Sequence, residues 1–126
     1  MLKKNIFSII VALIIMYLSL AGSDTFDDVS VDIPYLDKIV HFCMYFGLMS
    51  VIIFENRKTL KNNRQLFLVA LIPVFYGILM EILQSALTIT RFANVFDAVS
   101  NTAGILVSLL LWIWIKSLKK ATSDNN

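Results

Sequence analysis

The 126-residue chain has one cysteine, one histidine and two prolines, and only 16% of its residues are charged. With Cys43 alone, neither an intrachain disulfide nor a cysteine-cluster metal site can form. His41 alone disfavours lipid-phosphatase chemistry that uses a pair of histidines. A net charge of +2 is too small to suggest a nucleic-acid partner. There is no His-Glu-x-x-His, no serine-centred nucleophile elbow and no phosphate-cradling glycine loop. The scarcity of charge also excludes an ordinary soluble surface, for which about 25% charged residues is usual.

Apolar residues fill the space instead: 58% of the chain is hydrophobic and the mean hydropathy is +0.76. Four apolar runs stand out, at residues 6–22, 39–54, 66–87 and 98–115. Crossing a bilayer core takes roughly 17–25 apolar residues, and flanking residues extend each run by a turn. Without water in the hydrocarbon, each run must be a helix to satisfy its own backbone. The fold class is therefore all-α: a polytopic membrane protein with four transmembrane helices in a compact bundle, at about 5–22, 37–55, 66–87 and 97–115. The tail "TSDNN" with its preceding Ala121, residues 121–126, reads as polar and disordered. Residues 1–21 also fit a secretory signal, with Lys3 and Lys4 before an apolar stretch and Ser19-Leu20-Ala21 as a small-x-small site. That stretch is long for a signal core of about 7–15 residues, which favours a retained helix.

Orientation comes from lysine and arginine. Lys3, Lys4, Arg57, Lys58, Lys61, Arg64, Lys116, Lys119 and Lys120 fall on one side of a four-helix threading, leaving Lys38 and Arg91 on the other. The positive-inside rule then puts both termini in the cytoplasm. Asp37, His41, Glu81, Gln84, Asp97 and Asn101 all come out at one depth, near the outer interface, with Arg91 in the outer loop. They also share faces, because residues three or four apart are neighbours on a helix. Asp37, His41 and Tyr45 form one stripe, Glu81 and Gln84 a second, Asp97 and Asn101 a third. Intramembrane ionisable residues turn toward partners or a water-filled recess and are functional candidates. Plainer roles are open for each: a helix cap for Asp97, interhelical glue for Asn101 and Gln84, a lipid-phosphate anchor for Arg91, a satisfied buried ring for His41. Gly104 and Ser108, with Gly77, would let a neighbouring helix come close.

The stretches "DKIVHFCMYFGL", "YGILMEILQ" and "FDAVSNTAG", with an Arg before the last, resemble the VanZ-like family of small bacterial membrane proteins. The matching positions are Asp37, Lys38, His41, Phe42, Tyr45, Gly77, Glu81, Gln84, Arg91, Asp97, Asn101 and Gly104, in order, across about residues 30–115. The resemblance implies a single transmembrane domain over residues 1–120 in the bacterial cytoplasmic membrane. It also implies a link to the cell envelope, since the founding member is associated with low-level teicoplanin resistance.

Two functions are then expected to compete. In the first, an outward-facing polar site binds or modulates a lipid-linked or peptidoglycan-precursor group. Arg91 would hold a phosphate or carboxylate, and Asp37, Tyr45, Gln84 and Asn101 would complete the ligand-binding set beside Glu81. In the second, the site is an intramembrane enzyme on the same class of substrate, with His41, Glu81 and Asp97 as its catalytic groups. The expected partners are membrane lipids and a lipid-linked cell-wall precursor. No resident cofactor or metal is expected. His41 with the carboxylates could hold a divalent cation, but "RFANVFD" lacks a second acidic residue that some relatives carry there, which weakens a metal reading.

Overall fold

A computed structural model of the chain describes residues 2–20, 36–87 and 95–125. After a 3-10 turn at Leu2–Asn5 come four helices: α1 (Ile6–Leu20), α2 (Leu36–Asn56), α3 (Asn63–Leu87) and α4 (Val95–Asp124). All four spans are long and apolar enough to cross a membrane. The acidic stretch 23–35, Arg91 and the side chain of Asp37 lie outside the described residues.

Polar contacts between helices give the direction of each. The Ser8 end of α1 meets Glu55 at the end of α2, and the Ser19 end meets Gln84 late in α3. His41 and Ser50 of α2 meet Asn101 and Ser108 of α4 in the same order. Neighbours in sequence are thus antiparallel, and α2 runs parallel to α4. The tightest pair is α2 with α4. α1 packs on α2 and α3 rather than on α4.

Two small residues make the α2–α4 packing possible. A Cβ on Gly104 would collide with the carbonyl oxygen of Phe42, and it would come within 3.0 Å of the Phe46 nitrogen. Here main chain lies against main chain, which only a glycine permits. One turn further on, the Ser50 and Ser108 hydroxyls hydrogen-bond at 2.7 Å. The core below consists of Ile15, Leu48, Met49, Ile53, Leu66, Ile105 and Leu109, all at most 3% exposed. Large apolar side chains such as Phe7, Tyr17, Ile72, Phe75, Ile82 and Leu110 point outward, as a lipid-facing surface requires.

Helix ends depart from the apolar runs. α3 begins at Asn63, not near 66, because Asn62 and Gln65 form a reciprocal cap: Gln65 N–H donates to Asn62 Oδ1 at 2.9 Å, and Gln65 Oε1 accepts from the N–H groups of Asn62 at 3.4 Å and Lys61 at 2.8 Å. This is the logic of the capping box with an asparagine as first partner. α4 does not stop near 115 but continues to Asp124, through residues expected to be a disordered tail. "KSLKKATSD" contains no glycine or proline to end it, and its Lys, Leu and Ala residues are good helix formers. At the start of α1, the orphan Phe7 and Ser8 N–H groups donate to the Glu55 carboxylate at 2.8 and 3.1 Å. An acidic side chain from another helix thus supplies the cap and complements the helix dipole.

Apart from Lys38, the described basic residues gather at one end of the bundle. Lys4 Nζ donates to Thr59 Oγ1 at 3.3 Å, and Lys116 Nζ to the Lys61 carbonyl at 2.6 Å. Gly104→Ala is expected to lower thermal stability in detergent by about 1–3 kcal/mol, because the added methyl overpacks a backbone contact. Gly47→Ala is the control: a Cβ there meets nothing within 4 Å, so no loss is expected.

Candidate functional site

At the end opposite the basic residues, α2, α3 and α4 each turn polar groups toward one another. His41 lies one turn into α2, Glu81 in the last turns of α3, and Asp97 in the first turn of α4 with Asn101 a turn below it. His41, Glu81 and Asn101 are each at most 5% exposed. Helical spacing delivers them: Lys38 and His41 are three apart on one face, as are Glu81 and Gln84, and Asp97 and Asn101 are four apart.

His41 is the centre of this group. Its Nδ1 lies 3.0 Å from Asn101 Oδ1. Since an amide oxygen can only accept, Nδ1 carries the hydrogen, and Nε2 is left to give or take a proton. A carboxylate stands beside each nitrogen: Glu81 Oε1 is 3.9 Å from Nδ1, and Asp97 Oδ2 is 3.9 Å from Nε2. These separations exceed a direct hydrogen bond. Asp97 also pairs with Lys38, Oδ1 to Nζ at 3.3 Å, at the less buried rim. One ligand atom from each of His41, Glu81 and Asp97 lies within 4.8 Å of the others, a spacing from which a divalent cation could be held.

The helix that carries Glu81 comes close because Gly77, one turn below, has no side chain. A Cβ there would sit 3.1 Å from Tyr45 Cε1 and 3.3 Å from Asn101 Nδ2. Tyr45 is fully buried, its ring against Gly77 and 6.4 Å from the ring of Tyr76. Neither the Tyr45 hydroxyl nor Asn101 Nδ2 has a hydrogen-bond partner among the described residues. Two donors held at this depth have hydrogen-bonding capacity to offer a polar group.

Of the residues expected at a site, the structure brings together His41, Glu81, Asp97 and Asn101, with Tyr45 directly beneath. Gln84 Nε2 donates to the Ser19 carbonyl at 2.6 Å, tying α3 to α1. Asp97 is in the first turn of α4, yet its carboxylate is directed across to Lys38 and His41. Lys38 was not expected among the site residues. Its place three positions before His41 is the signal that could have found it. Arg91 and the Asp37 side chain lie outside the described residues.

The His41–Asn101 bond has a measurable worth. Asn101→Ala is expected to cost about 0.6–1.7 kcal/mol, the span for hydrogen bonds between membrane helices. A double-mutant cycle with His41→Ala, followed by thermal or denaturant unfolding in micelles, should return a coupling energy of that order.

No curated protein and no solved structure matches the chain. The model of the VanZ/LLP1 family matches residues 3–116, which takes in α1, α2, α3, α4 as far as Lys116 and every side chain of the cluster described above. The chain therefore belongs to the VanZ/LLP1 family and is a VanZ-like protein with four membrane-spanning helices.

Proposed function

We propose that the cluster around His41 is an outward-facing site that binds the polar part of a lipid-linked or peptidoglycan-precursor group. The observation that carries this reading is the convergence of His41, Glu81 and Asp97 from three helices, within 4.8 Å of one another. Ionisable groups at membrane depth are costly, and their gathering at one level favours a ligand-binding role over scattered helix-to-helix bonds. The positive-inside rule applied to the basic end supports the outward orientation, with the cluster at the outer leaflet of the cytoplasmic membrane. In this reading Asn101 and Tyr45 supply donors, the carboxylates accept from hydroxyls or amides, and Lys38 and Arg91 meet a phosphate or carboxylate. Teicoplanin resistance would follow from changed access of the glycopeptide to a precursor held or diverted there.

A second reading is enzymatic, and one observation favours it: the imidazole has a carboxylate beside each nitrogen. That arrangement suits general acid–base work, with Nε2 exchanging the proton and Glu81 or Asp97 steadying the charged ring.

Native mass spectrometry of protein extracted from its own membrane should show a lipid-linked adduct on the parent chain. Glu81→Gln should keep its melting behaviour but lose the adduct, and His41→Ala should lose the adduct while remaining folded, with no more destabilisation than the loss of its bond to Asn101 brings. A parent chain that carries only bulk phospholipid would sink the binding reading, and turnover of a polyprenyl phosphate by the purified protein would replace it with the enzymatic one. Orientation is tested separately: in a Cys43→Ala background, a cysteine at Arg57 should be labelled only after the membrane is opened.

A further inference from the structure

A cavity of about 420 Å³ lies at the other end of the bundle, between α1, α2 and α3. Its walls are apolar: Ile9, Leu48, Ile52, Val69, Ile72 and Pro73. No residue of α4 lines it. Two of the wall residues, Ile9 on α1 and Ile72 on α3, are exposed, so the groove opens sideways into the region that lipid occupies. Apart from Tyr76, its polar lining is at the basic end, where Asn5, Ser8, Asn56 and Thr59 stand. Lys4 joins this rim, with Nζ 3.3 Å from Thr59 Oγ1.

The charge around the rim is mostly positive. Lys3, Lys4, Lys58 and Lys61 are all exposed at this end. Glu55, the acidic residue nearby, is engaged by the N–H groups of Phe7 and Ser8. The other described carboxylate toward this end is Asp124, at the far end of α4. Tyr76 ties the two walls together, since its hydroxyl donates to the Ala12 carbonyl on the opposite wall. The volume falls within the roughly 300–1,000 Å³ typical of small-molecule sites.

We propose that this groove is a binding site for an anionic phospholipid of the leaflet at the basic end. The phosphate lies at Lys4, with the Asn5, Asn56 and Thr59 side chains as hydrogen-bond partners, and one acyl chain lies between α1 and α3. A polar, positive rim above an apolar slot matches the two halves of such a molecule, and clustered lysines favour an anionic headgroup over a zwitterionic one. The site is separate from the His41 cluster, so its test does not depend on what that cluster binds.

Ile72→Trp places a reporter on the groove wall, with Trp112 and Trp114 of the parent chain as background. In phosphatidylcholine vesicles, brominated-chain phosphatidylglycerol should quench the reporter at a several-fold lower mole fraction than brominated phosphatidylcholine does. Lys4→Gln in the same background should remove most of that difference. Native mass spectrometry gives an independent readout: retained phosphatidylglycerol should fall in Lys4→Gln while the folded charge-state pattern is unchanged. Equal quenching by the two lipids, or selectivity untouched by Lys4→Gln, overturns the proposal and makes the groove ordinary bilayer contact.

Discussion

At Gly104, α4 lies on the main chain of α2, and the position of nearly every polar group follows from that contact. The added Cβ would meet the Phe42 carbonyl, so the two helices are in register within a fraction of a turn. That register brings Asn101 level with His41 and Ser108 level with Ser50. Gly77 plays the same part for α3, which comes close enough for Glu81 to face His41 Nδ1 at 3.9 Å. In water, the hydrophobic effect would hold such helices together. In lipid it cannot, because the surroundings are as apolar as the helices, so close packing and polar contacts must do so.

A division of labour follows along the bundle axis. At one end, three helices place a histidine, two carboxylates and an asparagine in mutual reach. In the middle, Ile15, Met49, Leu66, Ile105 and Leu109 form a dry core. At the other end, cationic side chains cap helices and bind loop carbonyls, as Lys116 does with Lys61. A chain with so few charged residues has thus sorted them into two layers, and the apolar middle between them is what lets it span a membrane.

Much of this was legible in the sequence, for a physical reason. Hydrocarbon demands long apolar runs, so the four helices show in composition alone, and helical periodicity then puts Glu81, Asp97, Asn101 and His41 on inward faces. The small residues Gly77 and Gly104 could be recognised as points of close approach, although not which atoms they would meet. What was hidden depends on particular pairings. The start of α3 was obscured because its first turn is polar, and the Asn62–Gln65 cap is a weaker signal than the apolar run after it. The extension of α4 to Asp124 was missed because a loss of hydrophobicity was read as the end of a helix. The partner of Gln84, the Ser19 carbonyl, carries no side-chain signature at all.

That last contact is one of a set. α1 is held by Glu55 through the Phe7 and Ser8 N–H groups, by Tyr76 through the Ala12 carbonyl and by Gln84 through the Ser19 carbonyl. Each of these bonds ends on a peptide group of α1, which is the same whatever side chain it bears; the Ser8 hydroxyl, which also donates to the Glu55 carboxylate, is the side-chain exception among the described residues. The first helix can therefore change most of its residues and still be gripped in the same place, provided it stays apolar and helical. Its freedom to drift is written in α2 and α3, which hold it, and hardly at all in its own sequence.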